Sequence, residues 1–186
     1  ASPQPDLAKV MERVASVIKG IEPNDSPERF RGLGVDVIFG SGKFVTPGAF
    51  EVDGRRLTAK TFVIATGSRP AVPRLPGLDT TPFLTNETVF DLREPVPSLV
   101  VVGAGPIGSE LAQAFRRLGS EVTIVDIAPQ LLPREDPDLA AVVFSALEAE
   151  GIRYCLGASI AGIAGRKSDV RVNLHLADGT PTELAG

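Results

Sequence analysis

Cysteine occurs once in these 186 residues and histidine once. A lone Cys155 excludes an internal disulfide and any metal site assembled from several thiolates. The single His175 falls in an alternating stretch with Val170, Val172, Leu174 and Leu176 opposite it, which puts it on the polar face of a strand rather than in a catalytic cluster. No apolar run approaches the roughly 20 residues that a membrane helix needs, and residues 1–9 are polar and proline-broken rather than a signal peptide. The formal charge is -4, and no Lys/Arg block exists to neutralise a run of phosphates. The pairs Arg55-Arg56 and Arg116-Arg117 read as solvated surface. These absences set the expectation: a cytoplasmic protein with neither membrane nor nucleic acid as partner.

What remains is an ordinary globular composition, 43% hydrophobic, long enough for one domain or for a small domain with part of another. Leu7, Val10, Met11, Val14, Val17 and Ile18 fall at helical spacing before Gly20. Ser26 followed by Pro27 is a cap with a first-turn proline, predicting a short helix through Phe30. The period then changes. Residues 35–39, 42–45, 49–52 and 56–60 read as short strands, with Asp53-Gly54 as a hairpin turn. Residues 61–65 are apolar and β-branched, predicting a buried strand that ends at Thr66-Gly67-Ser68. Pro70, Pro73, Pro76 and Pro82 then mark a connector over the surface.

The most ordered signal begins at Ser98. Residues 99–102 read as a continuous apolar strand, 103–108 as a turn, 109–118 as a helix closed by Gly119, and 121–125 as a second strand ending at Asp126. A helix over 138–150, a strand over 152–155 and two antiparallel strands over 160–164 and 170–176 follow. The fold class is therefore α/β: a Rossmann-like domain with a parallel sheet and a β-meander.

The turn Gly103, Ala104, Gly105, Pro106, Ile107, Gly108 carries the chemistry. In that pattern Gly103 permits a sharp turn, Gly105 lets the backbone approach a pyrophosphate, and Gly108 lets helix and strand pack closely. The helix start then offers free N–H groups and its positive dipole end to the anion. Asp126, at the end of the next strand, is placed to accept hydrogen bonds from a ribose 2′-hydroxyl and to repel a 2′-phosphate. Residues 127–130 supply no arginine for that phosphate, so NAD(H) is expected over NADP(H). The plainer reading is that the glycines only make a tight strand-to-helix turn.

The run VVVGAGPIGSELAQAFRRLGSEVTIVD, preceded by TFVIATGSRP and LTNETVFDL, resembles the pyridine nucleotide-disulfide oxidoreductases, in particular the mercuric reductase-like and dihydrolipoamide dehydrogenase-like branches. The resemblance covers essentially the whole chain. It implies that residues 1–96 are part of an FAD-binding domain with the crossover from it, and that 97–186 are an NAD(H)-binding Rossmann domain, C-terminally incomplete. It implies a parent homodimer that passes hydride from NADH to FAD and on to a disulfide or metal substrate. Gly42 would lie near the adenine end of the flavin nucleotide, and Thr66, Gly67 and Ser68 where the chain passes the FAD. Glu110 matches the acid that approaches the nicotinamide carboxamide, although a first-turn glutamate also suits the helix dipole. Ile160 matches an apolar contact to the NAD adenine, although core packing explains it as well. Pro106 stands where several relatives carry an aromatic residue over the flavin.

The family's first glycine turn, its paired redox cysteines and its C-terminal His-Glu pair have no counterparts here. The chain is accordingly expected to be a piece of a longer protein, without disulfide reductase activity of its own and with weak or no FAD binding. Two other readings stay open: an NADH oxidase or ferredoxin reductase type of flavoenzyme lacking the redox disulfide, and a non-catalytic NADH-sensing module.

Overall fold

Asp6 starts the first helix by accepting the Lys9 N–H on its carboxylate (3.2 Å), and α1 then runs over Leu7–Ile21, past Gly20. In this computed structural model, which describes residues 5–166 and 169–186, the chain divides into two units. One is Val14–Arg69; the other combines residues 5–13 with Pro70–Gly186.

In the unit Val14–Arg69, Ser26 caps α2 (Pro27–Gly32) by accepting the Arg29 N–H, as the Ser-Pro pair indicates. Strands β1 (Gly42–Thr46), β2 (Ala49–Val52) and β3 (Arg55–Thr58) form an antiparallel meander. Asp53 and Gly54 both take positive φ (45° and 86°), the two-residue turn that suits the twist of a hairpin. Phe44 packs edge-on against Phe50 and Phe62. Two expected strands do not form. Residues 35–39 and 61–65 are extended but join no ladder among the described residues, and Val63 and Ile64 are 87% and 73% exposed rather than buried. β-Branched composition favours an extended backbone, but a strand also needs a neighbour to take its N–H and C=O groups.

In the second unit, β4 (Ser98–Val102), β5 (Glu121–Asp126) and β6 (Arg153–Leu156) form a parallel sheet in that order. Helices α3 (Pro106–Arg117) and α4 (Pro137–Ala149) make the crossovers. The middle strand is buried on both faces: Val122, Ile124 and Val125 are each at most 1% exposed. Burying one such side chain contributes about 1.5–3 kcal/mol relative to leaving it in water. Leu7 and Met11 share this core with Val89, Ala112, Phe115 and Leu147. Strands β7 (Ser159–Arg166), β8 (Asp169–His175) and β9 (Pro181–Ala185) add an antiparallel meander around Ile163, Val172 and Leu174. His175 is on its exposed face, as the alternation indicates.

The proline-rich connector is irregular, as expected, but it does not simply cross the surface. Ile163 N–H donates to Pro76 O (2.8 Å), Gly77 at φ 83° presses so close to the Ile163 carbonyl that a side chain has no room, and Leu75 and Leu78 pack on the meander's core. The pair Arg116-Arg117 is likewise not merely solvated. Arg117 forks onto the Glu150 carboxylate (2.7 and 2.8 Å), Arg116 Nε donates to the Glu150 carbonyl, and Gln113 donates to the same carboxylate. Together they tie the C-terminal ends of α3 and α4. No helix among the described residues is long and apolar enough to cross a membrane.

Candidate dinucleotide site

β4 delivers the chain to the turn, where Gly103 N–H donates to Val125 O (2.9 Å) and φ reaches 114°, a conformation that side chains strain to adopt. At Gly108 a Cβ would run into the Gly103 carbonyl oxygen, so this glycine is required by the close packing of helix against strand. Gly105 differs. Its φ of -77° suits any residue, and nothing of the chain lies within 4 Å of where its Cβ would stand. The fold itself gives no reason for glycine there, whereas a ligand resting on the backbone does.

Gly105 is the cap of α3 and provides no side-chain hydrogen bond. Pro106 has no N–H, and the N–H groups of Gly105, Ile107 and Gly108 have no partner among the described residues. Ser109 turns inward, donating from both N–H and Oγ to Gly105 O at 3.0 Å. Three donors and the positive end of a 12-residue helix therefore converge where the turn is open, which suits a diphosphate.

Asp126 lies alongside. Its Oδ2 accepts the Ala104 N–H at 2.6 Å and its Oδ1 the Ala128 N–H at 2.8 Å. Each carboxylate oxygen keeps a second lone pair, so the group can still accept from hydroxyls. Glu110, exposed one turn into α3, lines a groove of about 370 Å³ with Pro106, Leu132, Glu135, Leu139 and Val143, between the first turns of α3 and α4. Ile160 begins β7, half-buried against the meander's core; packing accounts for that position.

Gly103, Ala104, Gly105, Pro106, Ile107, Gly108, Glu110 and Asp126 are thus gathered at one end of the parallel sheet. Gly42, Thr66, Gly67 and Ser68 belong to the other unit. Gly42 opens β1, and a side chain there would strike the Phe50 ring. Thr66, Gly67 and Ser68 are exposed, irregular and without hydrogen bonds to described residues. These four residues form no cradle of the kind seen at Gly105. Cys155 sits half-buried in β6, where burial pushes its thiol pKa up against a smaller opposing effect of Arg153; this disfavours the reactive thiolate. No group of three or more potential metal ligands occurs among the described residues.

The family model for pyridine nucleotide-disulphide oxidoreductases matches residues 3–185. The chain belongs to that family. Its relatives include a mercuric reductase from Bacillus cereus, 35% identical over 154 residues, covering 83% of this chain and 24% of the relative. A dihydrolipoyl dehydrogenase from Thermus scotoductus is 35% identical over 190 residues, covering 98% of this chain and 40% of the relative. Among solved structures, the HOCl-induced flavoprotein disulfide reductase RclA from Escherichia coli superposes with a TM-score of 0.79 at 30% identity, over 98% of this chain and 41% of that one. The chain therefore spans well under half the length of each of these three family members.

Reading the sequence for this family finds the turn, the helix and the acid. It misses Leu132, a non-glycine residue at φ 50° whose N–H donates to Ala104 O at 2.8 Å. Leucine signals nothing of the kind in sequence. The Asp126 contact to Ala128, two residues on, is a local Asx turn of the sort that an aspartate at a strand end invites.

Proposed function

We propose that the part of the chain from residue 97 binds NAD(H) in an FAD-dependent oxidoreductase of this family, one that takes hydride from NADH to flavin and electrons onward to a disulfide or a metal ion. The single observation that carries this reading is Gly105: the chain leaves its surroundings empty beside three unpartnered N–H donors and a carboxylate. The diphosphate would rest on Gly105, Ile107 and Gly108, and Asp126 would accept from the adenosine ribose. A 2′-phosphate would meet that carboxylate, which favours NAD(H) over NADP(H). Glu110, in the groove beside Pro106, would take the nicotinamide carboxamide N–H and hold one ring face in position. When bound, the nicotinamide supplies the hydride and the flavin receives it. Residues 1–96 would then serve the flavin side. The mercuric reductase and dihydrolipoyl dehydrogenase relatives support a metal-ion or disulfide acceptor.

The test is a titration of the full chain and of Gly105→Val with NADH, read by nicotinamide fluorescence. The valine intrudes on the diphosphate but on nothing in the protein. Affinity falls at least about tenfold, while the denaturation midpoint stays in place. Equal affinity in the two proteins would refute the placement.

A further inference from the structure

We propose that Asp126 and Leu132 clip the glycine turn from both sides, so that Asp126 acts on a bound dinucleotide through the Ala104 peptide as well as through the ribose. The inference rests on the dinucleotide reading above. Ala104 is fully buried, and both of its backbone groups are engaged outside the βαβ ladder. Its N–H enters the Asp126 carboxylate at 2.6 Å, and its C=O receives the Leu132 N–H at 2.8 Å. The loop between these two partners is itself braced. Asp126 Oδ1 holds the Ala128 N–H, Glu135 N–H returns to Leu132 O at 2.9 Å, and the Gln130 side-chain amide donates to Glu135 O at 3.2 Å.

Leu132 adopts φ 50°, a left-handed conformation that leucine takes only when its surroundings impose it. The bond to Ala104 depends on that conformation. Gly105 follows Ala104 directly, so rotation of the Ala104 peptide groups would scatter the three donors that converge on the ligand position. The clip removes that freedom before binding, and pre-organisation of this kind shows as affinity. Asp126 is in this sense a positioning residue, and Leu132 is another that touches no ligand.

The experiment compares Asp126→Asn with the unaltered full chain, using NADH and the NADH analogue that lacks the adenosine 2′-hydroxyl, and reads Ala104 amide exchange without ligand. An asparagine cannot accept at both side-chain positions, so one backbone N–H would face an NH₂ group. A role confined to the ribose predicts that Asp126→Asn weakens NADH but binds the analogue as the unaltered chain does. The clip predicts that the analogue also loses about tenfold and that Ala104 exchanges faster by a similar factor, the scale of one charge-assisted hydrogen bond. Unchanged analogue affinity with unchanged Ala104 exchange would overturn it.

A second pair guards against misfolding at Asp126. Glycine accepts positive φ and keeps its N–H, whereas a β-branched residue resists that conformation. Leu132→Gly therefore keeps Ala104 protected, and the outwardly milder Leu132→Val speeds its exchange; the reverse order contradicts the clip. If the unaltered chain bound neither ligand, the dinucleotide reading would fall, and Ala104 exchange would still decide whether the clip exists.

Discussion

Two glycines of one turn have different causes. Gly108 answers to its own chain, because a methyl there strikes the Gly103 carbonyl, and Gly105 answers to something outside it. Gly108→Ala should accordingly cost about 1–3 kcal/mol in stability by urea unfolding, even without ligand. A second residue allows a clean spectroscopic check. Tyr154 is the sole tyrosine and the chain has no tryptophan. Its hydroxyl is buried without a hydrogen-bond partner and its ring stacks on Phe144. Burial, with a smaller effect from Glu148, pushes its pKa from 10.0 up to about 12. A raised folded value means that the stabilisation is complete below pH 10 and is lost as pH rises from 10 towards 12. Phenolate absorbance should therefore appear only near the upper end of that window while the protein is folded; a midpoint near 10 would contradict the burial.

The elements that could be read from sequence are those whose signals are local. The Ser26-Pro27 cap, the Asp53-Gly54 turn and the strand-turn-helix from Ser98 each contain their own stop and start residues, and each forms where expected. Residues 35–39 and 61–65 were legible only as apolar and extended, because whether a segment pairs depends on partners distant in sequence. Leu132 was illegible for a related reason: its conformation is imposed by Ala104, 28 positions earlier, not by leucine. Long-range side-chain ties are equally hidden, and the Glu150 knot is testable as one. Hydrogen bonds from Arg117 and then Gln113 hold the Glu150 carboxyl below its usual 4.5. A lowered acid stabilises the fold above its ordinary pKa and ceases to as pH falls through the folded value. Glu150→Gln should lower the thermal midpoint at neutral pH, and the gap from the unaltered chain should close below pH 4.5 as the carboxylate protonates. A gap independent of pH would show that the charge plays no part.

At the scale of the whole molecule, the parallel sheet with its glycine turn is well packed, whereas Val14–Arg69 leaves Val63, Ile64 and Phe39 largely in water. Family membership accounts for the order of the motifs along the chain, and the geometry at Gly105 and Asp126 says what this part would contribute: a seat for an adenine dinucleotide with a free 2′-hydroxyl. The electron acceptor and the flavin's own contacts belong to the parent enzyme, of which this chain covers 24–41% by its relatives' lengths. The claim on which the account depends is decided by calorimetric titration of the full chain with NADH and, in parallel, with NADPH. The account predicts saturable one-to-one binding of NADH and affinity for NADPH lower by at least about tenfold; NADPH binding as tightly as NADH, or no heat from either, would contradict it.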